Sequence, residues 1–235
     1  MTSIRFKLIL LFAELLAPHC ADGQWTEPLR IDIQPVLKTG YAYQVLTRDI
    51  VLGDAKRKDS WRVDTRLPFE CRPNEKDYSG SEYDKGHLAP ASSYGLQLLC
   101  DKTFVLSNAA PQNQPLNRGL MREIEDTVND LAVQPNATTY VFTAPLLMPD
   151  ETGKVTFSTI GEHHVPVPTH FGKAALTVKG GKFSCIAWIV PNSDPPEGAH
   201  PLDYKVAVDD VEAAAGVNLF DWLDHDTEKK LEASP

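Results

Sequence analysis

The chain has 235 residues, 42% of them apolar, and its 23 lysines and arginines face 32 aspartates and glutamates for a formal net charge of −9. That length and apolar content suit one domain with a substantial core. The acidic balance excludes a general nucleic-acid coat, because phosphate binding needs cations, but it leaves room for a local basic cleft on an acidic body.

The N-terminus has the layout of a secretory signal peptide. Arg5 and Lys7 precede an apolar run from Leu8, which resumes through Ala17, and small residues follow near Ala21 and Gly23. Residues 1–23 are therefore expected to direct secretion, with a mitochondrial presequence or an uncleaved anchor as the alternatives. Glu14 interrupts the run, which is too short for a confident spanning helix, so no stable membrane insertion of the mature domain is expected. Residues 24–225 then form the domain and residues 226–235 a charged, frayed tail.

Along the domain, the alternation at 41–45 predicts a strand. Residues 53–83 are polar and broken by Pro68, Pro73 and Gly80, and read as an ordered loop. They carry the main cationic concentration, Lys56-Arg57-Lys58 with Arg62, Arg66 and Arg72, tempered by Asp54, Asp59, Asp64 and Glu70. A short buried strand is expected at 103–106 and a loop at 111–115. Leu120, Ile124, Val128 and Leu131 then form one stripe of a helix over 118–132. Further strands are expected at 139–142, 165–177 and 183–190, the last two joined by a Gly180-Gly181 turn, and a final helix at 206–215 closed by Gly216. The sum is an α+β domain with a mainly antiparallel sheet.

Cys71, Cys100 and Cys185 would remain after Cys20 leaves with the leader, which permits one disulfide at most. No close cysteine pair suggests zinc. Asn136-Ala137-Thr138 is an N-glycosylation sequon beside Pro135.

The chemistry concentrates in Asp84-Lys85-Gly86-His87 and the polar residues after it. Phosphodiester hydrolysis requires a group that takes a proton from water, and stabilisation of charge on the phosphoryl and departing oxygens. A neutral histidine can do the first, which points to His87. A hard cation can do the rest while holding only one or two protein oxygens. Asn117 offers a neutral amide oxygen and Glu125 lies eight residues on. On one continuous helix eight steps return to within about 80° of the starting face but rise about 12 Å. The expectation is therefore that Asn117 binds the metal directly and Glu125 acts through metal-bound water. Each residue alone has a blander reading: a helix cap for Asn117, a surface carboxylate for Glu125, a structural ring for His87. Their joint occurrence carries the case.

Together with Asp77-Tyr78, Tyr83 to Ala91, Phe104 to Asn108, Ala110-Pro111-Gln112, Leu116-Asn117, Ile124-Glu125, Thr143-Ala144-Pro145-Leu146, Ile160-Gly161, His164 to Phe171 and Val190-Pro191-Asn192, these residues resemble the DNA/RNA non-specific endonucleases of the ββα-metal class, especially the endonuclease G-like nucleases. The resemblance covers roughly residues 40–220. It implies a ββα-metal nuclease fold with a mainly antiparallel central sheet flanked by helices. It implies catalytic roles for His87 and Glu125 with site-positioning help from Asn108, and Mg2+ at Asn117, with Mn2+ as the alternative ion. DNA and RNA would be the substrates, cut to 5′-phosphate and 3′-hydroxyl ends, and a homodimer is implied as well. Lys85 and Arg57 would hold phosphate, with Arg72 the alternative to Arg57.

Three positions depart from the family pattern. Lys85 and Asn129 stand where arginine is usual, and Met121 where tryptophan is common. Lysine keeps the charge but loses the planar fork for phosphate. These departures and the acidic charge motivate a second reading, a catalytically weakened relative that binds nucleic acid or a protein partner. His163, His164 and His170 could suggest a zinc cluster, but adjacent strand residues face opposite ways, so structural hydrogen bonding by His164 and His170 is expected instead.

Overall fold

The computed structural model describes residues 27–34 and 39–233. The expected leader and Cys20 lie outside the described residues. The architecture is α+β, as expected, and its frame is a six-stranded antiparallel sheet. Its strands are β1 (Leu29–Gln34), β2 (Thr39–Thr47), β5 (Ala137–Leu146), β8 (His170–Lys179), β9 (Lys182–Pro191) and β10 (Lys205–Val206), in the spatial order β1-β2-β5-β8-β9-β10. Gly180 and Gly181, at φ 57° and 74°, make the β8–β9 turn, where only glycine takes consecutive left-handed conformations without strain.

Period-two alternation divides the sheet's side chains between two cores. Val141, Phe171, Ala175, Trp188 and Val190 face one layer; Tyr140, Phe142, Ala174, Leu176 and Ala187 face the other. The first layer holds two helices labelled here in chain order as α4 (Gln114–Arg118) and α5 (Leu120–Ala132). The earlier helices are α1 (Arg48–Val51), α2 (Glu75–Tyr78) and α3 (Gln97–Lys102). Helix α5 buries Leu120, Met121, Ile124, Val128 and Ala132 against this face. On the opposite face, α6 (Val208–Ala215) buries Val208, Val211 and Ala215, and α7 (His225–Glu232) follows. Gly216, at φ 68°, closes α6 as expected, but residues 225–232 complete a helix with a buried Glu232 rather than fraying.

Beside the sheet lies a two-stranded ladder of β3 (Tyr83–His87) and β4 (Ala109–Asn113), which leads directly into α4. Residues 111–113 are thus strand rather than loop. Pro111 is tolerated because β4 pairs on one side only. The expected strand at 103–106 is instead an isolated bridge at Val105 followed by a 3-10 turn, Leu106–Asn108. The expected strand at 165–177 is broken: β7 (Val165–Pro166) pairs with β6 (Thr159–Ile160), and β8 begins only after Pro168. Proline cannot donate to a continuing ladder. The expected helix over 118–132 forms as α5 from Leu120, and Gly119, at φ −115° and ψ −101°, parts it from α4, which holds Asn117. The helical spacing between Asn117 and Glu125 therefore does not apply. Among the described residues Cys71, Cys100 and Cys185 are all free, and no helix is long and apolar enough to cross a membrane.

Candidate active site

The β3–β4 ladder and α4 bring the motif residues together. Gly86 sits in β3 opposite Ala110, and a Cβ there would lie 2.2 Å from Gln112 Oε1 and 2.5 Å from Gln112 Cβ. Only glycine lets the two strands pack this closely around the buried Gln112. His87 ends the strand. Trp61 lies against its ring at 4.5 Å between centroids and Phe104 meets it edge-on at 5.0 Å. His87 is 9% exposed, and its Nε2 is buried without a hydrogen-bond partner. Burial, reinforced by the charge of Arg57, lowers its pKa from 6.5 to about 3; Asp59 opposes the shift and Lys85 adds to it. The ring is neutral at physiological pH.

Asn108 holds the turn that follows His87. Its amide donates to the carbonyls of Ala89 and Thr103, each at 2.9 Å, and its oxygen accepts from the Ala89 N–H at 3.0 Å. These bonds satisfy a fully buried side chain entirely with backbone and fasten the turn after His87.

Asn113, rather than Asn117, caps α4, accepting from the Leu116 N–H at 3.0 Å. Asn117 is thereby left for other work. Its Nδ2 donates to Asp84 Oδ2 at 2.9 Å, which turns its carbonyl oxygen away as the acceptor still available. The same Asp84 carboxylate takes a fork from Arg118 at 2.9 and 2.8 Å. Burial alone would raise the Asp84 pKa, but the hydrogen bonds from Arg118 and Asn117 outweigh it and hold the group ionised below the usual carboxylate range.

Glu125 stands half-buried on α5. Burial raises its pKa, and the positive charge of Lys173 works against that rise. Lys173 is 2% exposed on β8, and burial lowers its pKa. Its Nζ donates to Thr143 Oγ1 at 2.6 Å and reaches the Leu88 carbonyl at 3.5 Å. A buried lysine thus ties the sheet to the residue after His87. Arg57 supplies the common charge, since its guanidinium acts on His87, Asp84 and Glu125 alike.

The expected phosphate cations divide. Arg57 is exposed, paired with Asp59 at 2.9 Å and set over the Phe104 ring. Lys85 contacts Glu75 at 2.8 Å and lies 5.4 Å from the Trp61 ring centroid. Arg72 is instead fastened to the carbonyls of Leu67 and Thr65, at 2.7 and 2.8 Å, and belongs to the local loop. Arg62 and Arg66 line a separate cleft with Asp64 and Lys102. Of the unusual positions, Met121 is core and Asn129 accepts a hydrogen bond from Ser93 Oγ at 2.8 Å.

The histidine expectation holds for His170, whose Nδ1 lies 3.0 Å from Thr169 Oγ1, and is corrected for His164. Residues 161–164 form a turn, not a strand, and His163 makes the structural contact, with Nδ1 3.0 Å from both Asp77 oxygens. His164 instead adopts φ 49°. Sequence reasoning missed Trp61, Lys173 and the bridging role of Asp84. A lysine amid the apolar residues of β8 was the one visible signal among them.

Residues 38–226 match the family model described as DNA/RNA non-specific endonuclease. A nuclease of Syncephalastrum racemosum is 36% identical over 73% of this chain and 58% of its own length. Nuclease C1 of Cunninghamella echinulata is 36% identical over 77% of this chain and 75% of its own. Human mitochondrial endonuclease G is 35% identical over 70% of this chain and 58% of its own, so the chain spans little more than half of two of these three relatives. A crystal structure of an EndoG/EndoGI complex, concerned with EndoG inhibition, superposes with a TM-score of 0.78 at 27% identity, covering 95% of this chain and 94% of that one.

Proposed function

This chain belongs to the DNA/RNA non-specific endonuclease family, and we propose that it is a magnesium-dependent, sugar-nonspecific endonuclease that hydrolyses DNA and RNA to 5′-phosphate products. The observation that carries this reading is the Asp84 carboxylate, which joins the amide of Asn117 to the strand ending in His87.

Neutral His87 offers an unpartnered nitrogen to accept a proton from water. Burial keeps the ring unprotonated, and the negative charge of an arriving phosphodiester would raise its otherwise weak proton affinity toward the range a general base needs. Arg57 and Lys85 attract and orient the phosphate. The donor set fits a hard divalent cation: Asn117 has an amide oxygen free, ionised Asp84 holds that amide in place, and half-buried Glu125 contributes a second oxygen group through water. Bound there, magnesium would supply Lewis-acid stabilisation of phosphoryl and leaving-group charge. Asn108 keeps the His87 turn in place without touching the reacting atoms. Backbone contacts of this kind carry little sequence information, which suits a nonspecific nuclease.

The test is degradation of plasmid DNA and RNA by wild type, His87→Ala and Asn117→Ala, with magnesium and with chelator. Wild type should cut only with the metal, His87→Ala should nearly abolish cutting in a folded protein, and Asn117→Ala should lose magnesium-dependent turnover. Binding without turnover under every divalent ion would instead establish the catalytically weakened relative.

A further inference from the structure

The face of the sheet opposite His87 carries a second concentration of oxygen donors. Asp209 and Glu212 lie three residues apart on α6, hence on one side of that helix, and Glu232 reaches them from α7. One carboxylate oxygen from each lies within 4.8 Å of the other two. Three donors around a calcium ion lie no further apart than twice its oxygen distance, about 4.8 Å. Asp221 and Glu228 add negative charge around the group.

A second observation points to a ligand. Glu232 is 3% exposed, and its Oε1 is buried with no hydrogen-bond partner. Burying an unpartnered carboxylate beside two others is strongly unfavourable unless a cation or a proton neutralises it. Glu212 already uses one oxygen to accept from the Leu219 N–H at 2.5 Å, which fixes the side chain with its other oxygen available.

We propose that Asp209, Glu212 and Glu232 form a calcium-class cation site that fastens α7 to α6, on the far face of the sheet from His87. The all-oxygen donor set selects a hard ion, and three carboxylates on two helices suit the flexible, many-oxygen coordination of calcium better than the near-ideal octahedron of magnesium, which keeps most of its waters.

The experiment is calcium titration into the full chain, read by calorimetric binding and by thermal unfolding near neutral pH, for wild type, Asn117→Ala, Glu232→Gln and Asp209→Asn. Calcium should bind and raise the unfolding temperature of wild type and Asn117→Ala, and magnesium should do so less. Either carboxylate variant should bind calcium about tenfold or more weakly, since ligand charge sets affinity at such sites. Asp209 is exposed, so its amide variant keeps the test usable if Glu232→Gln does not fold. Loss of the response in Asn117→Ala, its survival in both carboxylate variants, equal responses to the two ions, or no response in wild type would overturn the assignment.

Discussion

Replacing His87 with asparagine should flatten the acid dependence of folding stability. Burial between Trp61 and Phe104 holds this imidazole near pKa 3 in the folded protein, against 6.5 when free. Between those values the unfolded chain binds a proton that the folded protein refuses. Stability is therefore complete above the unfolded pKa and is lost as pH falls from 6.5 toward about 3. At 1.36 kcal/mol per pKa unit, the loss between about pH 7.5 and about pH 5 is roughly 2 kcal/mol. The raised pKa of Glu125 works in the opposite direction over part of this range, because the folded protein holds that proton more tightly. That contribution is present in both proteins and cancels from their difference. Urea unfolding of wild type and His87→Asn at the two pH values measures the quantity. The wild type should lose about 2 kcal/mol more than the variant on acidification. Trp61→Ala, which opens the ring to water, should show an intermediate loss. Equal pH dependence in wild type and His87→Asn would refute the burial argument.

Three further outcomes follow from the same contacts. Gly86→Ala forces a methyl group against Gln112 within the β3–β4 ladder and should cost about 1–3 kcal/mol, seen as a lower unfolding temperature; an unchanged midpoint would mean that the strands separate freely. Asn108→Ala leaves the Ala89 N–H and two carbonyls without their partner inside the core, so it should cost about 2–4 kcal/mol by urea unfolding, and a loss well under about 1 kcal/mol would show that water replaces the amide. Arg57→Ala should sharply reduce DNA and RNA cleavage at low salt while Arg72→Ala leaves it near wild type, because Arg72 already serves Leu67 and Thr65; equal losses would place both in the cleft.

Much of the large sheet was legible because its strands obey local rules. The 183–190 segment pairs with the strand immediately before it across the Gly180-Gly181 turn, so local residues suffice to locate β9 and the hairpin. The smaller ladder was not legible. Tyr83–His87 and Ala109–Asn113 are short, the second is interrupted by Pro111, and they become strands only by pairing across an intervening stretch that no local period announces. Gly119 shows the converse failure. The apolar stripe from Leu120 to Leu131 is genuine, but extending the helix back toward Asn117 ignored the weak point that Gly119 offers.

That break bears directly on the candidate site. One rigid helix would hold Asn117 and Glu125 apart along its axis, whereas two helices let each side chain be placed by a different neighbour. Asp84 of β3 holds Asn117 by a direct hydrogen bond, while Lys173 of β8 acts on Glu125 through its charge. Motif order therefore picked out the candidate residues but not what positions them. The partners lie 33 and 48 residues away in sequence, the differences between positions 117 and 84 and between 173 and 125. Trp61 is a still plainer case: an aromatic in a polar loop gives no sign that it closes over His87. Because Trp61 packs directly on the His87 ring, substrate must either displace Trp61 or approach along another edge of the ring. The Trp61→Ala protein discriminates between them, since displacement would make cleavage of this variant faster or tighter-binding and an open edge would leave it unchanged.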